Sequence, residues 1–391
     1  MCGIVGQFLY NDEPISMYVP FIRSLSRLMK RRGPDDNGFW SDEKSCAMGF
    51  QRLAILDLKP TGHQPILTQD GNYALVFNGE IYNFKEIRDQ LEQQGVTFRS
   101  SGDSEVVLHA LEYWGTAAFQ KFNGMFALAF YNVREKKLLL ARDHAGIKPL
   151  YYLLTKDGLV YASQYDQIIN HPWVNRSKIY QPALSLYLKL GYIPAPYAIL
   201  ENTHMVMPGN WLEIDAQGRI NKGCFYQMPV WQSTDLSGAE AIEAMDIAIR
   251  NAVQRHLISD VPVGVFLSGG VDSPLVASYM RSLSSARITS FSIGSFDPRH
   301  DESTQAEAYA KELGLEEVVR KISAEDALGL LDQVVDACGE PFADFSIFPT
   351  MMVSRLARRQ VKVVLSGDGG DELLWGYVPR MAQVIKQAGN F

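Results

Sequence analysis

Two different hydrophobic rhythms run along this 391-residue chain, and they change over near residue 238. Before that point, short alternating or apolar runs at 73–77, 125–131, 137–141 and 159–162 are bounded by Gly, Asn and Asp. Such runs predict strands of an antiparallel system. Amphipathic stretches at 18–29 and 104–114 predict helices, so this half is α+β. Beyond the change, fully apolar strand-like runs at 261–267, 288–293 and 361–365 alternate with helical patterns at 239–257, 274–283, 302–313, 325–337 and 349–359. Apolar strands separated by helices predict a parallel sheet covered on both faces, with ligands at the carboxyl ends of its strands. The expected division is therefore a first domain over 1–210, a linker over 211–238 and a second domain over 239–391.

Composition closes off several function classes. A net charge of -7 without a Lys/Arg stripe gives no electrostatic footprint for nucleic acid. The nearest approach to a membrane span, 182–200, is interrupted by Lys189, Gly191, Pro194 and Pro196, which suits a buried helix and a turn better than lipid. Cys2, Cys46, Cys224 and Cys338 lie far apart with no C-x-x-C pair, as expected in a reducing cytoplasm. The start, Met1-Cys2-Gly3-Ile4-Val5-Gly6, lacks the basic and apolar regions of a signal peptide.

The chemistry of the first half begins at its second residue. Removal of Met1 would leave Cys2 with a thiol and a free α-amine, and an α-amine titrates close to working pH, where it can take the thiol proton. The thiolate is the nucleophile. Asn78-Gly79-Glu80 follows the run 73–77, where a turn could aim a side-chain amide and a backbone N–H at one oxyanion; a hairpin turn is the plainer alternative. Arg52 could clamp an α-carboxylate, and Glu80 or Asp103 an α-ammonium.

In the second half, Ser268-Gly269-Gly270-Val271-Asp272-Ser273 follows one strand and opens a helix. Its N–H groups can converge on a pyrophosphate, and no G-x-x-x-x-G-K-[ST] pattern offers a kinase-type loop instead. A second loop, Ser366-Gly367-Asp368-Gly369-Gly370-Asp371-Glu372, follows the strand expected at 361–365. Carboxylates beside a phosphate loop repel it unless a cation intervenes, so Mg²⁺ held by Asp272 and Asp371 is the economical reading, with helix capping as the bland one.

Cys2-Gly3-Ile4, Arg32-Gly33-Pro34-Asp35, Phe77-Asn78-Gly79-Glu80-Ile81-Tyr82-Asn83, Gly102-Asp103-Ser104-Glu105 and the run from Arg142-Asp143-His144 to Tyr152 stand in the order of a known family. Together they resemble the class II glutamine amidotransferase domain, an N-terminal-nucleophile (Ntn) fold. The two glycine loops, with Glu340-Pro341-Phe342-Ala343-Asp344 and the stretch 297–302, resemble the ATP pyrophosphatase domain of the asparagine synthetase family. The resemblance implies Cys2 as nucleophile, Asn78 and Gly79 as oxyanion hole, and Arg52, Glu80 and Asp103 as holders of glutamine. It further implies Phe266, Leu267 and Ile293 around adenine and ribose, Ser268, Gly269, Gly270, Asp272 and Ser273 on the phosphates, and Ser366 and Gly367 touching the nucleotide. Asp368 occupies the position linked to acyl-adenylate formation, where relatives carry Glu, and lactam-forming relatives Tyr; Glu340 is a second acid/base candidate. Phe50 replaces a common His before Arg52, and Gln164 a common Glu.

What the resemblance implies is an asparagine synthase: glutamine hydrolysed at Cys2, and ammonia passed to a carboxylate adenylated with ATP and Mg²⁺, aspartate first among the acceptors. Amidation of another carboxylate, such as a sugar acid, and a nucleotide-binding fragment with glutaminase activity alone stay open, as does a homodimer. Relatives continue well over a hundred residues beyond the second loop, so the second domain is expected to be C-terminally truncated and its synthetase activity impaired.

Overall fold

The computed structural model describes residues 1–391 except 12, 230–234, 300, 375, 378–385 and 387–391. It divides into two compact units, Met1–Gln232 with Val335–Asp344, and Ser233–Val334 with Phe345–Phe391.

Two six-stranded sheets build the first unit. One runs, edge to edge, Thr203–Met205, Tyr151–Leu154, Gly158–Ala162, Gly3–Leu9, Cys46–Arg52 and Asp36–Ser41. The other runs Ile220–Cys224, Asn210–Ile214, Lys137–Arg142, Gly124–Asn132, Tyr73–Ile81 and Ile66–Leu67, and the paired strands of both are antiparallel. Ile4, Phe8, Met48 and Phe50 from the first sheet share one core with Val76, Ala127, Ala129 and Leu140 from the second, so the sheets pack face to face. Successive residues of a strand point to opposite faces. Val5, one residue on from Ile4, accordingly joins a separate core with Ile22 and Leu25 of the helix Val19–Leu28. Burial on both faces explains why the strand Gly3–Leu9 reads as an apolar run rather than an alternation. The buried Phe50 belongs to this core, and a ring there adds apolar area that an imidazole would not.

Structure and sequence part company at three places in this unit. Asn78-Gly79-Glu80 is not a turn: the strand Tyr73–Ile81 runs through it, paired with Ala127, Phe126 and Met125. Close pairing decides the matter, because a Cβ at Gly79 would stand 2.4 Å from the Met125 carbonyl oxygen. The linker expected from 211 starts later, since Asn210–Ile214 and Ile220–Cys224 close the edge of the second sheet; residues 230–234 lie outside the described residues. Val335–Asp344, expected in the second domain, packs with the first unit.

In the second unit the sheet is parallel, in the order Glu316–Ile322, Thr289–Ser295, Val263–Phe266, Val363–Leu365. Its core joins Val265 and Leu267 to Ala277 and Met280 of the helix Asp272–Leu283, Ala306 and Ala310 of the helix Ser303–Leu313, and Val253 of the helix Gly238–His256. Glu316–Ile322 escaped the sequence reading because a charged edge strand, Glu-Glu-Val-Val-Arg-Lys-Ile, has no apolar run to announce it. The helix expected over 325–337 is two helices, Ala324–Leu328 and Leu331–Ala337. Ser323 and Asp326 cap the first reciprocally, and Gly329 follows its end. Among the described residues, no helix is long and apolar enough to cross a membrane.

Candidate active sites

Register brings the first site together. Gly3 pairs with Gln51, which sets Cys2 beside Arg52 and Leu53. The Cys2 Sγ accepts from the Leu53 N–H at 3.4 Å and lies 3.7 Å from the Leu53 carbonyl. Cys2 shares the inward face of its strand with Ile4, while Asn78 and Glu80 share the inward face of theirs with Val76. At this end the layer between the sheets therefore turns from apolar to polar. Asn78 is 1% exposed, and its Nδ2 has no hydrogen-bond partner. A buried amide left unpaired costs stability, which marks it as a donor kept for something that comes and goes.

Charge at this site is arranged around burial. The Cys2 thiol is pushed up by desolvation, partly offset by the Leu53 hydrogen bond, the chain's amine, Lys148 and Arg52. The terminal amine, here that of Met1, is drawn down to about 5 by burial, with Arg32 and Lys148 lowering it further against Cys2 and Glu80. Glu80 is pushed up to about 7 by burial, with Asp103 adding to the shift and Lys148 opposing it. Burial likewise lifts Asp103 to about 6, against the Ile81 N–H that donates to its Oδ2 at 3.0 Å. Arg52 gives its guanidinium to the carbonyls of Leu56, Asp57 and Lys59, so it also fixes the loop beyond its own strand.

Two cations here were missed by sequence reasoning. Arg32 donates from Nε to the Cys2 carbonyl at 2.9 Å, and its buried Nη2 has no partner. Lys148 is 5% exposed, its pKa lowered by desolvation, with Glu80 and Cys2 among the charges that raise it. Arg32 opens the motif Arg32-Gly33-Pro34-Asp35 and Lys148 lies in the run 142–152, where nothing local separates a site cation from a surface one. The Asp143 carboxylate places Lys148 by accepting from the N–H groups of Phe126, Ala145, Ile147 and Lys148. Arg142 completes the clamp with donations to the carbonyls of Gly146, Lys148 and Val206.

The second site lies where the two glycine loops leave neighbouring strands, Val263–Phe266 and Val363–Leu365, paired in register Val263 to Val363. From Val263–Phe266 the chain moves to Thr289–Ser295 on one side and returns later on the other, so the loops flank a topological switch point. A cavity of about 810 Å³ opens there, lined by Phe266, Leu267, Ser268, Gly270, Asp272, Ser273, Ile293, Ser366, Gly367, Asp368 and Asp371 among others. The structure thus gathers nearly the whole expected nucleotide set. Gly269 lies in the same loop, its N–H bonded to Glu302 at 3.1 Å. Cβ atoms at Gly367 and Gly370 would come within 2.8 Å and 2.5 Å of Asp272 side-chain atoms, so glycine is what lets the loops close on that carboxylate. Asp368 accepts from the Ser366 hydroxyl at 2.9 Å.

Glu340 is not among these residues. It belongs to the first unit, where its Oε1 accepts from the Ile199 N–H at 2.8 Å and the Tyr151 hydroxyl bonds it, while burial pushes its carboxyl up to about 7. The stretch after the helix Leu331–Ala337 packs on the first unit and takes Glu340 with it, whereas Asp368 belongs to the second unit.

Asp272 and Asp371 line one cavity, and among the described residues no cluster of three or more His, Cys, Asp or Glu is set to hold a metal. Two carboxylates beside a glycine loop would fit Mg²⁺ if phosphates sat there, since that ion commonly takes one or two protein carboxylates and completes its shell with phosphates and water.

Comparison with known proteins falls on the same division. Residues 1–226 match the glutamine amidotransferase domain family, and residues 244–390 match the asparagine synthase family. Asparagine synthetase [glutamine-hydrolyzing] 1 of Bacillus subtilis is 34% identical over 96% of this chain and 59% of its own length. A putative asparagine synthetase [glutamine-hydrolyzing] 2 of Methanocaldococcus jannaschii is 33% identical over 97% of this chain and 76% of its own. A putative asparagine synthetase [glutamine-hydrolyzing] of Mycobacterium tuberculosis is 34% identical over 91% of this chain and 56% of its own. The chain thus spans between about half and three quarters of the length of these relatives.

Proposed function

The chain belongs to the glutamine-hydrolysing asparagine synthetase family, and on that premise we propose that its first unit hydrolyses glutamine at Cys2 while its second binds ATP to activate a carboxylate, aspartate foremost, for amidation. The observation that carries the first half is the unpaired, buried Asn78 amide on the same inward layer as Cys2. For the second half it is the cavity shared by both glycine loops.

Glutaminase chemistry follows from the arrangement. Burial keeps the Cys2 thiol protonated at rest, so a base is required. The same desolvated, cation-flanked setting that draws the Met1 amine down to about 5 would hold the α-amine of Cys2 neutral once Met1 is gone, ready for the thiol proton. The thiolate adds to the glutamine carboxamide carbon, and the oxyanion takes the Asn78 Nδ2 and the Gly79 N–H. Collapse returns the proton to nitrogen and releases ammonia, leaving a glutamyl thioester that water cleaves to glutamate and free thiol. Glu80 and Asp103 would hold glutamine's α-ammonium, and Arg52 its α-carboxylate.

In the second unit, Ser268, Gly269, Gly270 and Ser273 would seat the phosphates, with adenosine against Phe266, Leu267 and Ile293 and the loop Ser366-Gly367 alongside. Asp272 and Asp371 would hold a Mg²⁺ that neutralises the departing pyrophosphate. The acceptor carboxylate attacks the α-phosphorus, pyrophosphate leaves, and ammonia then displaces AMP from the acyl-adenylate. Asp368 and Glu340 are the acid/base candidates carried from the family. A reducing cytoplasm would keep Cys2 a free thiol.

Product identification with glutamine, ATP, Mg²⁺ and a panel of carboxylic acids tests the reading. Asparagine and AMP formed from aspartate would support it, amide formed only from another acid would move the acceptor, and no glutamate release would sink its first half.

A pH dependence follows from the site. Glu80 at about 7 and Asp103 at about 6 must be ionised to hold an ammonium, so their grip is present at high pH and lost as pH falls through 7 and then 6. KM for glutamine is expected to rise about tenfold from pH 8 to pH 6, as Glu80 takes up its proton. Steady-state kinetics across that interval check it, and a flat KM would mean that neither carboxylate binds the amine.

A further inference from the structure

The loop after the strand Val263–Phe266 already holds an acidic group of this chain. The Gly269 N–H donates to Oε2 of Glu302 at 3.1 Å, and Glu302 lines the cavity immediately before the helix Ser303–Leu313. The approach is close, since a Cβ at Gly269 would lie 3.1 Å from the Glu302 Cβ and 3.3 Å from that of Gln305.

The backbone on both sides of Glu302 is pinned. Asp301 accepts from the Ser303 N–H at 3.1 Å, the Ser303 hydroxyl at 2.6 Å and Lys321 Nζ at 2.7 Å. The side chain of Glu302 is therefore what can swing. Elsewhere in the loop, N–H groups rest on neutral hydroxyls: Ser268 N–H on Ser273 Oγ at 2.9 Å, and Gly270 N–H on Ser268 Oγ at 3.2 Å. Hydroxyls rotate and can release an N–H to a phosphate while staying as donors themselves. A carboxyl group can only compete, because a phosphate seated on this loop must take the Gly269 N–H from it or lie against it.

Resting on the ATP reading of this cavity, we infer that Glu302 is an affinity-determining residue whose carboxylate competes with the nucleotide's phosphates for the Gly269 N–H and holds affinity below what the loop alone would give. In Glu302→Gln the competitor becomes a neutral, weaker acceptor. In Glu302→Asp the side chain is one methylene shorter and falls short of the N–H.

The test titrates the full chain and both variants with ATP in Mg²⁺-containing buffer by calorimetry, and repeats each titration with adenosine, which brings no phosphate. Glu302→Gln is expected to bind ATP about fivefold tighter, the effect of a modest exposed charge contact, and Glu302→Asp, which frees the N–H but keeps a negative charge beside the phosphates, to gain less. The gain should be absent with adenosine, whereas a residue that merely shaped the cavity would move both ligands. ATP binding by the Gln variant equal to or weaker than the original chain's overturns the inference while leaving the ATP reading intact. If Glu302→Gln does not fold, the Asp variant decides by the same comparison. Folded protein of all three forms that binds no ATP overturns the ATP reading and the inference with it.

Discussion

Cys2→Ala is expected to abolish glutamine hydrolysis, leaving ATP binding by the second unit unchanged. The proposed reaction has no other nucleophile, and alanine in place of cysteine removes one sulfur from a position that already packs on the core. Asn78→Ala grades the same experiment, because loss of one oxyanion donor lowers kcat by about 10² to 10³ while the thioester route survives. The α-amine supplies a further arm. Protein with Met1 retained has no amine on Cys2 and should share the alanine variant's inactivity, with activity returning when the methionine is removed. Glutamate release is the readout for every form. A Cys2→Ala protein that still releases glutamate at the original rate would exclude the thiol as nucleophile, and full activity with Met1 in place would exclude the amine as base.

Asp143→Ala should destabilise the first unit by on the order of 3 kcal/mol, a large part of the ~5 to 15 kcal/mol that holds a typical domain. Asp143 is fully buried and accepts from four backbone N–H groups, of which those of Phe126 and Lys148 are themselves buried. Alanine strands those two donors where few other acceptors can reach them. For a unit of this size the loss corresponds to a fall of about 10 °C in the melting transition. The consequence for activity is indirect: with the loop 143–150 released, Lys148 no longer stands beside Glu80 and Cys2, and glutaminase should fall even below the melting range. Differential scanning calorimetry checks the first claim and glutamate release the second. An unchanged transition would show that the loop finds its acceptors elsewhere, for instance in water.

How much of this was written locally can be judged residue by residue. The apolar runs and their spacing carried the α+β and parallel α/β classes, and the glycine loops after apolar strands carried the second site, because strand, loop and helix are consecutive in the chain and each announces itself through side-chain pattern. Cys2 carried the first site for the same reason, thiol and amine being one residue. Local pattern failed where a partner strand or a distant segment decided. Asn78-Gly79 has the composition of a turn, yet pairing with Ala127 and Phe126 keeps it extended and turns the Asn78 amide inward. Arg32 and Lys148 are ordinary basic residues until packing in the first unit withdraws water from them. Glu340 is held by Tyr151 and Ile199, residues some 140 to 190 positions earlier in the chain, a contact no local pattern announces. The sequence by itself determined which chemical groups the chain owns and the order of its strands and helices, since these depend on neighbours a few residues apart. Tertiary structure alone decided which of those groups lose their water and meet, because burial and register are set by contacts between segments far apart in sequence, and no local pattern encodes them.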